Sequence, residues 1–107
     1  MKRLALAALM SLSLVAFAAD EPEFKLVIEN HKFSPERVEV PAGKKIKLVV
    51  ENKDATPEEF ESHSLKREKV IPGKSSATIM IGPLKPGEYK FFGEFHEATA
   101  KGVVIAK

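Results

Sequence analysis

The chain has 107 residues, 44% hydrophobic and 30% charged, with 17 Lys and Arg against 15 Asp and Glu and neither cysteine nor tryptophan. That size and balance fit one small globular domain rather than two domains or a disordered tail. Without cysteine there is no disulfide scaffold, zinc-thiolate or iron–sulfur centre, cysteine nucleophile or copper–thiolate bond.

Residues 1–18 read as a secretory signal peptide: Lys2 and Arg3 lead an apolar run, and Ala16-Phe17-Ala18 offers small residues at the cleavage positions. The run is shorter than the roughly 20 residues a membrane span needs. Cleavage after Ala18 leaves 89 of the 107 residues and removes two basic residues, so 15 positive face 15 negative. An exported, periplasmic domain of near-zero charge is expected, with no membrane span in the mature chain and no electrostatic pull toward nucleic acid.

The rest of the chain reads as strands separated by turns. Strands are predicted over residues 24–29, 37–40, 45–51, 76–81, 89–92 and 102–106, with 58–65 extended. Residues 30–35 read as a turn, and 66–70 hold at most one helical turn. About seven strands at ten-residue spacing predict a single all-β domain, residues 22–107, folded as an antiparallel Greek-key sandwich. Alternation along Glu59-Phe60-Glu61-Ser62-His63 puts 59, 61 and 63 on one face and Phe60 on the other. The same rule applied to Glu94-Phe95-His96 turns Phe95 inward.

Chemistry-bearing residues are few. The histidines are His31, His63 and His96, and the carboxylates gather at Glu58, Glu59 and Glu61 and at Glu94 and Glu97. Oxygen and imidazole donors suit iron, Cu(II), zinc or manganese once a fold brings them together. Alone, such a run reads as a solvated strand face rather than a site. His31 reads as a surface turn residue, and Phe33 as a plug at the end of the sandwich. Met80, the sole methionine after the leader, reads as core, which leaves no methionine-based Cu(I) site. No nucleophile elbow, phosphate loop or HExxH motif points to an enzyme, and an 89-residue sandwich, 107 less the 18-residue leader, has little room for a sugar cleft between paired glutamates.

Phe33-x-Pro35-x-x-Val38-x-Val40-x-Ala42-Gly43, Leu48-Val49-Val50-x-Asn52-x-Asp54 and Pro86-Gly87-Glu88-Tyr89-Lys90-Phe91-Phe92, followed by His96, resemble the strands and ligand loop of cupredoxins. On that resemblance Gly93 stands near the position of the copper-binding Cys. His96 matches the loop His, Ala100 or Lys101 stands for the Met, and Glu58 or Glu59 falls near the upstream His. A type 1 blue-copper centre is therefore not expected. Glu58-Glu59-Phe60-Glu61-Ser62, Leu65-x-Arg67-Glu68-Lys69-Val70-Ile71-Pro72, Gly82-Pro83-Leu84-Lys85-Pro86-Gly87-Glu88-Tyr89 and Gly93-Glu94-Phe95-His96 resemble the periplasmic cupredoxin-like proteins of high-affinity iron permease systems more closely. That resemblance implies an iron or copper ion held by Glu59, Glu61, Glu94 and His96, with His63 and Glu58 as further candidates. It also implies a role in iron acquisition beside a membrane permease or another periplasmic subunit, assisting Fe(II) oxidation or delivery. The alternative is a metal-free interaction module, with Phe60 and the Phe91-Phe92 pair as partner anchors unless they pack the core.

Overall fold

A computed structural model describes residues 21–107, and the segment read as a signal peptide lies outside them. The chain runs β1 (Glu23–Glu29), β2 (Lys32–Ser34), β3 (Arg37–Val40), β4 (Ile46–Asn52), β5 (Glu58–Ser62), β6 (Arg67–Ile71), β7 (Ser75–Ile81), β8 (Gly87–Gly93), a single 3-10 turn (Glu94–His96) and β9 (Lys101–Ala106). Two sheets form, ordered β2-β1-β4-β7 and β3-β9-β8-β5-β6. Among the described residues no helix is long and apolar enough to cross a membrane.

The all-β sandwich is as expected, but it has nine strands rather than about seven, and its sheets are mixed rather than purely antiparallel. β1 pairs parallel with β4, and β3 pairs parallel with β9. Strands that are neighbours in space but distant in sequence are joined across the sandwich, which allows parallel pairs without a helix. β6 occupies the segment read as at most a helical turn. It lies at a sheet edge with Arg67, Glu68, Lys69 and Val70 all exposed, so it carries no apolar alternation to read. Charged edges of this kind also discourage pairing with other chains.

The inner faces build one core. β4 alternates strictly, sending Ile46, Leu48, Val50 and Asn52 inward. Phe33, Phe60 and Phe91 meet within it: Phe33 stands edge-on to Phe91 at 4.9 Å, and Phe60 stacks on Phe91 at 5.1 Å. Each is nearly or fully buried, and burying a Phe side chain stabilises the fold by about 1.5–3 kcal/mol. Phe60 and Phe91 therefore pack the core and are not available as partner anchors. Gly102 lets Phe91 lie close, since a Cβ there would stand 2.3 Å from its ring.

Two polar side chains set the approach to β5. Buried Asn52 donates to the carbonyls of Thr56 and Ile71, and its own Oδ1 accepts from Asp54 N. Asp54 in turn accepts from the amides of Asn30 and His31. β5 then pairs with β8 through Phe60↔Gly93 and Glu61↔Phe92, and with β6 through Glu61↔Glu68 and Glu59↔Val70. This register brings the turn after β8 alongside the carboxylates of β5.

Candidate metal centre

Alternation along β5 divides its carboxylates. Glu58, Phe60 and Ser62 are buried, while Glu59 and Glu61 face outward and are only half-buried. On the outer side, one carboxylate oxygen from each of Glu59, Glu61 and Glu94 lies within 4.8 Å of the others. Carboxylate–metal bonds of about 2.0–2.2 Å put one cation within reach of all three after small side-chain adjustments.

These acids crowd like charges together. Glu61 Oε1 is sealed from solvent with no hydrogen-bond donor. A carboxyl–carboxyl hydrogen bond with Glu94, then burial and the neighbouring negative charges, push Glu61 up to about 7. Such a bond requires one of the pair to keep its proton. Glu59 is raised in the same way, first by a hydrogen bond with Glu68, then by burial and by the charges of Glu68, Glu94 and Glu58. A cation at this point would replace the shared protons and relieve the repulsion.

The inner side is different. Glu58 is 1% exposed. Its Oε1 accepts from the amides of Glu59 at 3.0 Å and Phe95 at 2.9 Å, and its Oε2 lies 2.6 Å from His96 Nδ1. The His96 ring stacks on His31 with centroids 3.5 Å apart and planes 14° from parallel. Thr99 Oγ1 donates to the His31 carbonyl at 2.6 Å, which closes this end of the molecule. Burial alone would raise Asp54, but the His31 and Asn30 amides, with the two imidazoles beyond them, outweigh it and hold Asp54 below its ordinary value.

The predicted residues thus fall into two groups. Glu59, Glu61 and Glu94 come together on the outer face. Glu58 and His96 pair on the inner side, and His96 is not part of the three-carboxylate group. His63 follows the end of β5 in a turn, is 81% exposed, and has Nδ1 4.0 Å from Glu61 Oε2. Two expectations are corrected. Residues 94–96 form a 3-10 turn, not a strand, so alternation does not apply and Phe95 is 48% exposed instead of turned inward. His31 is not a free surface residue: at φ 59° it is held by Asp54 and packed on His96. Sequence reasoning also missed Glu68, whose place opposite Glu61 follows only once 67–71 is recognised as a strand.

The residues at the cupredoxin copper position do not fit a blue-copper ion. Glu58, Gly93, His96 and Ala100 lie together, where the resemblance had left Glu58 or Glu59 and Ala100 or Lys101 open. A Cβ on Gly93 would lie 2.6 Å from the Glu58 carboxyl carbon and 2.8 Å from Ala100 Cβ, so a carboxylate fills the space. The chain has no cysteine thiolate, and Ala100 rather than a methionine lies beside Gly93.

Comparison with known proteins agrees with the fold. The chain is 52% identical over 83 residues to an uncharacterised protein of Rickettsia prowazekii (strain Madrid E); the match covers 78% of this chain and 66% of the relative, just under two thirds of its length. Auracyanin A, a "blue" copper protein from Chloroflexus aurantiacus, superimposes with a TM-score of 0.70 at 10% identity, over 82% of this chain and 100% of that one. The metal-binding domain of the Cu(I)-exporting P-type ATPase of Streptococcus pneumoniae D39 gives a TM-score of 0.67 at 13% identity, covering 79% and 84%. The sequence profile of the cupredoxin-like domain matches residues 2–106, and the chain belongs to that family.

Proposed function

We propose that this chain is an exported, periplasmic metal-binding protein of iron acquisition, which holds iron as cargo on the outer face of β5 and passes it to a membrane permease or a periplasmic partner. One observation carries the reading: Glu59, Glu61 and Glu94 converge, and Glu61 Oε1 among them is sealed from solvent with no hydrogen-bond partner among the described residues. An all-carboxylate donor set favours a hard cation, and Fe(III) or Fe(II) suits it better than Cu(I), which prefers sulfur. Cu(II) is the competing ion, since it binds most oxygen and nitrogen sites tightly. The copper-binding structural neighbours support a metal role in general. Iron rather than copper rests on the donor set and on the resemblance of the 58–72 and 82–96 segments to iron-permease partners.

The residues assign no catalytic step. The carboxylates bind and orient the cation, and Glu61 and Glu94 give up their shared proton when it enters. Equilibrium titration of the mature protein with Fe(III), supplied as a weak chelate, and separately with Cu(II) tests the reading. One equivalent bound by the wild type and lost in Glu59→Gln/Glu61→Gln supports it; no binding at micromolar metal contradicts it. Impaired growth on limiting iron after deletion, without copper sensitivity, would support the iron role over copper sequestration.

A second reading has its own observation. Phe95 and Val70 are exposed at 48% and 49%, and Val70 sits opposite Glu59 across the β5–β6 pair. A metal-free module would use these side chains to dock a partner beside the acidic face. Metal analysis of the purified protein separates the two.

A further inference from the structure

We propose that Glu58 is the positioning residue of the outer acidic site: its buried carboxylate occupies the place a metal would hold inside the fold, clamps the 94–96 turn to β5, and so sets Glu94 against Glu59 and Glu61. The inference rests on the metal-binding reading of those three residues and adds how their geometry is made.

The backbone ladder between β5 and β8 ends at Phe60↔Gly93, so Glu94 lies just past its last pair. The loop that follows closes on itself through Gly93 N to Ala100 O and through Thr99 N and Ala100 N to His96 O. The turn has no side-chain cap at its N-terminus. Besides the Glu61–Glu94 carboxyl pair, Glu58 links the turn to β5. Two of its three partners, Phe95 N and His96 Nδ1, belong to the turn, and the third, Glu59 N, belongs to β5. One carboxylate thereby ties the residue after Glu94 to the amide of Glu59. The His31–His96 stack also holds this turn.

Gly93 and Ala100 make the recess for this arrangement. A Cβ at Gly93 would stand 2.8 Å from Glu58 Oε2 as well as 2.6 Å from its carboxyl carbon. A side chain there and the Glu58 carboxylate exclude each other. The internal position is closed to copper by the same group that orders the external site. Partners that orient metal ligands without touching the metal typically change affinity by about 10–100-fold when removed.

A double-mutant cycle separates positioning from direct ligation. Fe(III) affinity should fall by about 10–100-fold in Glu58→Ala, yet by less than about twofold when the same change is made in a Glu94→Gln background, because the clamp then has nothing to place. Glu58→Gln, which can still accept from both amides, provides the cycle if the alanine variant does not fold, with a smaller loss of the same pattern. An equal loss in both backgrounds, or no loss in either, would overturn the proposal. Hydrogen exchange of the metal-free protein reads the clamp independently of metal. The Phe95 amide should exchange at least about tenfold faster in the Glu58 variant while core amides such as that of Leu48 are unchanged; an unaltered Phe95 amide would overturn the proposal. Should the wild type bind no Fe(III) while Phe95 responds as expected, the metal-binding reading fails and the clamp stands.

Discussion

Glu58 and Glu59 are adjacent in sequence and opposite in circumstance. The first is buried and receives two backbone amides and an imidazole. The second faces outward among Glu61, Glu68 and Glu94, where the available hydrogen bonds are to other acids. A buried carboxylate with a full set of donors is a structural element. A cluster of carboxylates that must share protons has an electrostatic deficit that a cation can meet. The strand's two-residue period creates this division, so one residue of register decides which acid is buried and which faces outward.

The largest expected effect comes from removing the outer charges. Glu59→Gln with Glu61→Gln should weaken Fe(III) binding by about a hundredfold or more, as read by equilibrium titration. Its metal-free form should melt no lower than the wild type near neutral pH, since like-charge repulsion is relieved. A lower melting temperature would mean that these acids support the fold.

Gly93→Ala attacks the inner group instead. The added Cβ meets the Glu58 carboxylate, and overpacking of this kind costs about 1–3 kcal/mol. Denaturant unfolding should register that loss, and a stability equal to the wild type's would show that Glu58 is not confined as described.

The outer site should also be marked by pH. Glu61, raised from 4.5 to about 7 chiefly by its hydrogen bond with Glu94, holds a proton in the metal-free fold that the unfolded chain releases earlier. The folded state therefore binds more protons in that window, and this group's contribution to metal-free stability falls as pH rises from about 4.5 to about 7. Metal affinity runs the other way. It should rise by up to about tenfold per pH unit below neutrality and level off above it, because entry of the cation expels that proton. Titrations at several pH values check the slope; a transition confined to about pH 4, the range of an ordinary carboxylate, would contradict the coupling.

The smallest effect is expected at His63. Its exposed ring lies 4.0 Å from Glu61, and an exposed pair of this sort is worth about 0–1 kcal/mol. His63→Ala should change metal affinity by less than about fivefold, the equivalent of that range. A larger loss would make His63 a ligand and extend the outer site along the turn.

Much of this division was legible in the sequence. Alternation alone placed Glu59 and Glu61 together with Phe60 opposite, and the absence of cysteine excluded a thiolate copper site. Three features were hidden for physical reasons. Glu68 sits on an exposed edge strand whose residues are mostly polar, so no periodicity revealed its cross-strand place beside Glu61. His31 is ordered by Asp54 and stacked on His96, contacts between segments more than twenty residues apart. Glu94 and His96 were assigned one face because a strand was assumed, whereas the 3-10 turn sends one to the acidic group and the other to Glu58.

X-ray absorption at the iron edge of the Fe(III)-loaded protein tests the division most directly. The account predicts a shell of oxygen donors without the outer-shell scattering of a coordinated imidazole, because Glu59, Glu61 and Glu94 bind the ion while His96 stays with Glu58. Clear imidazole scattering that disappears in His96→Ala would place His96 on the metal and contradict the separation of the two groups.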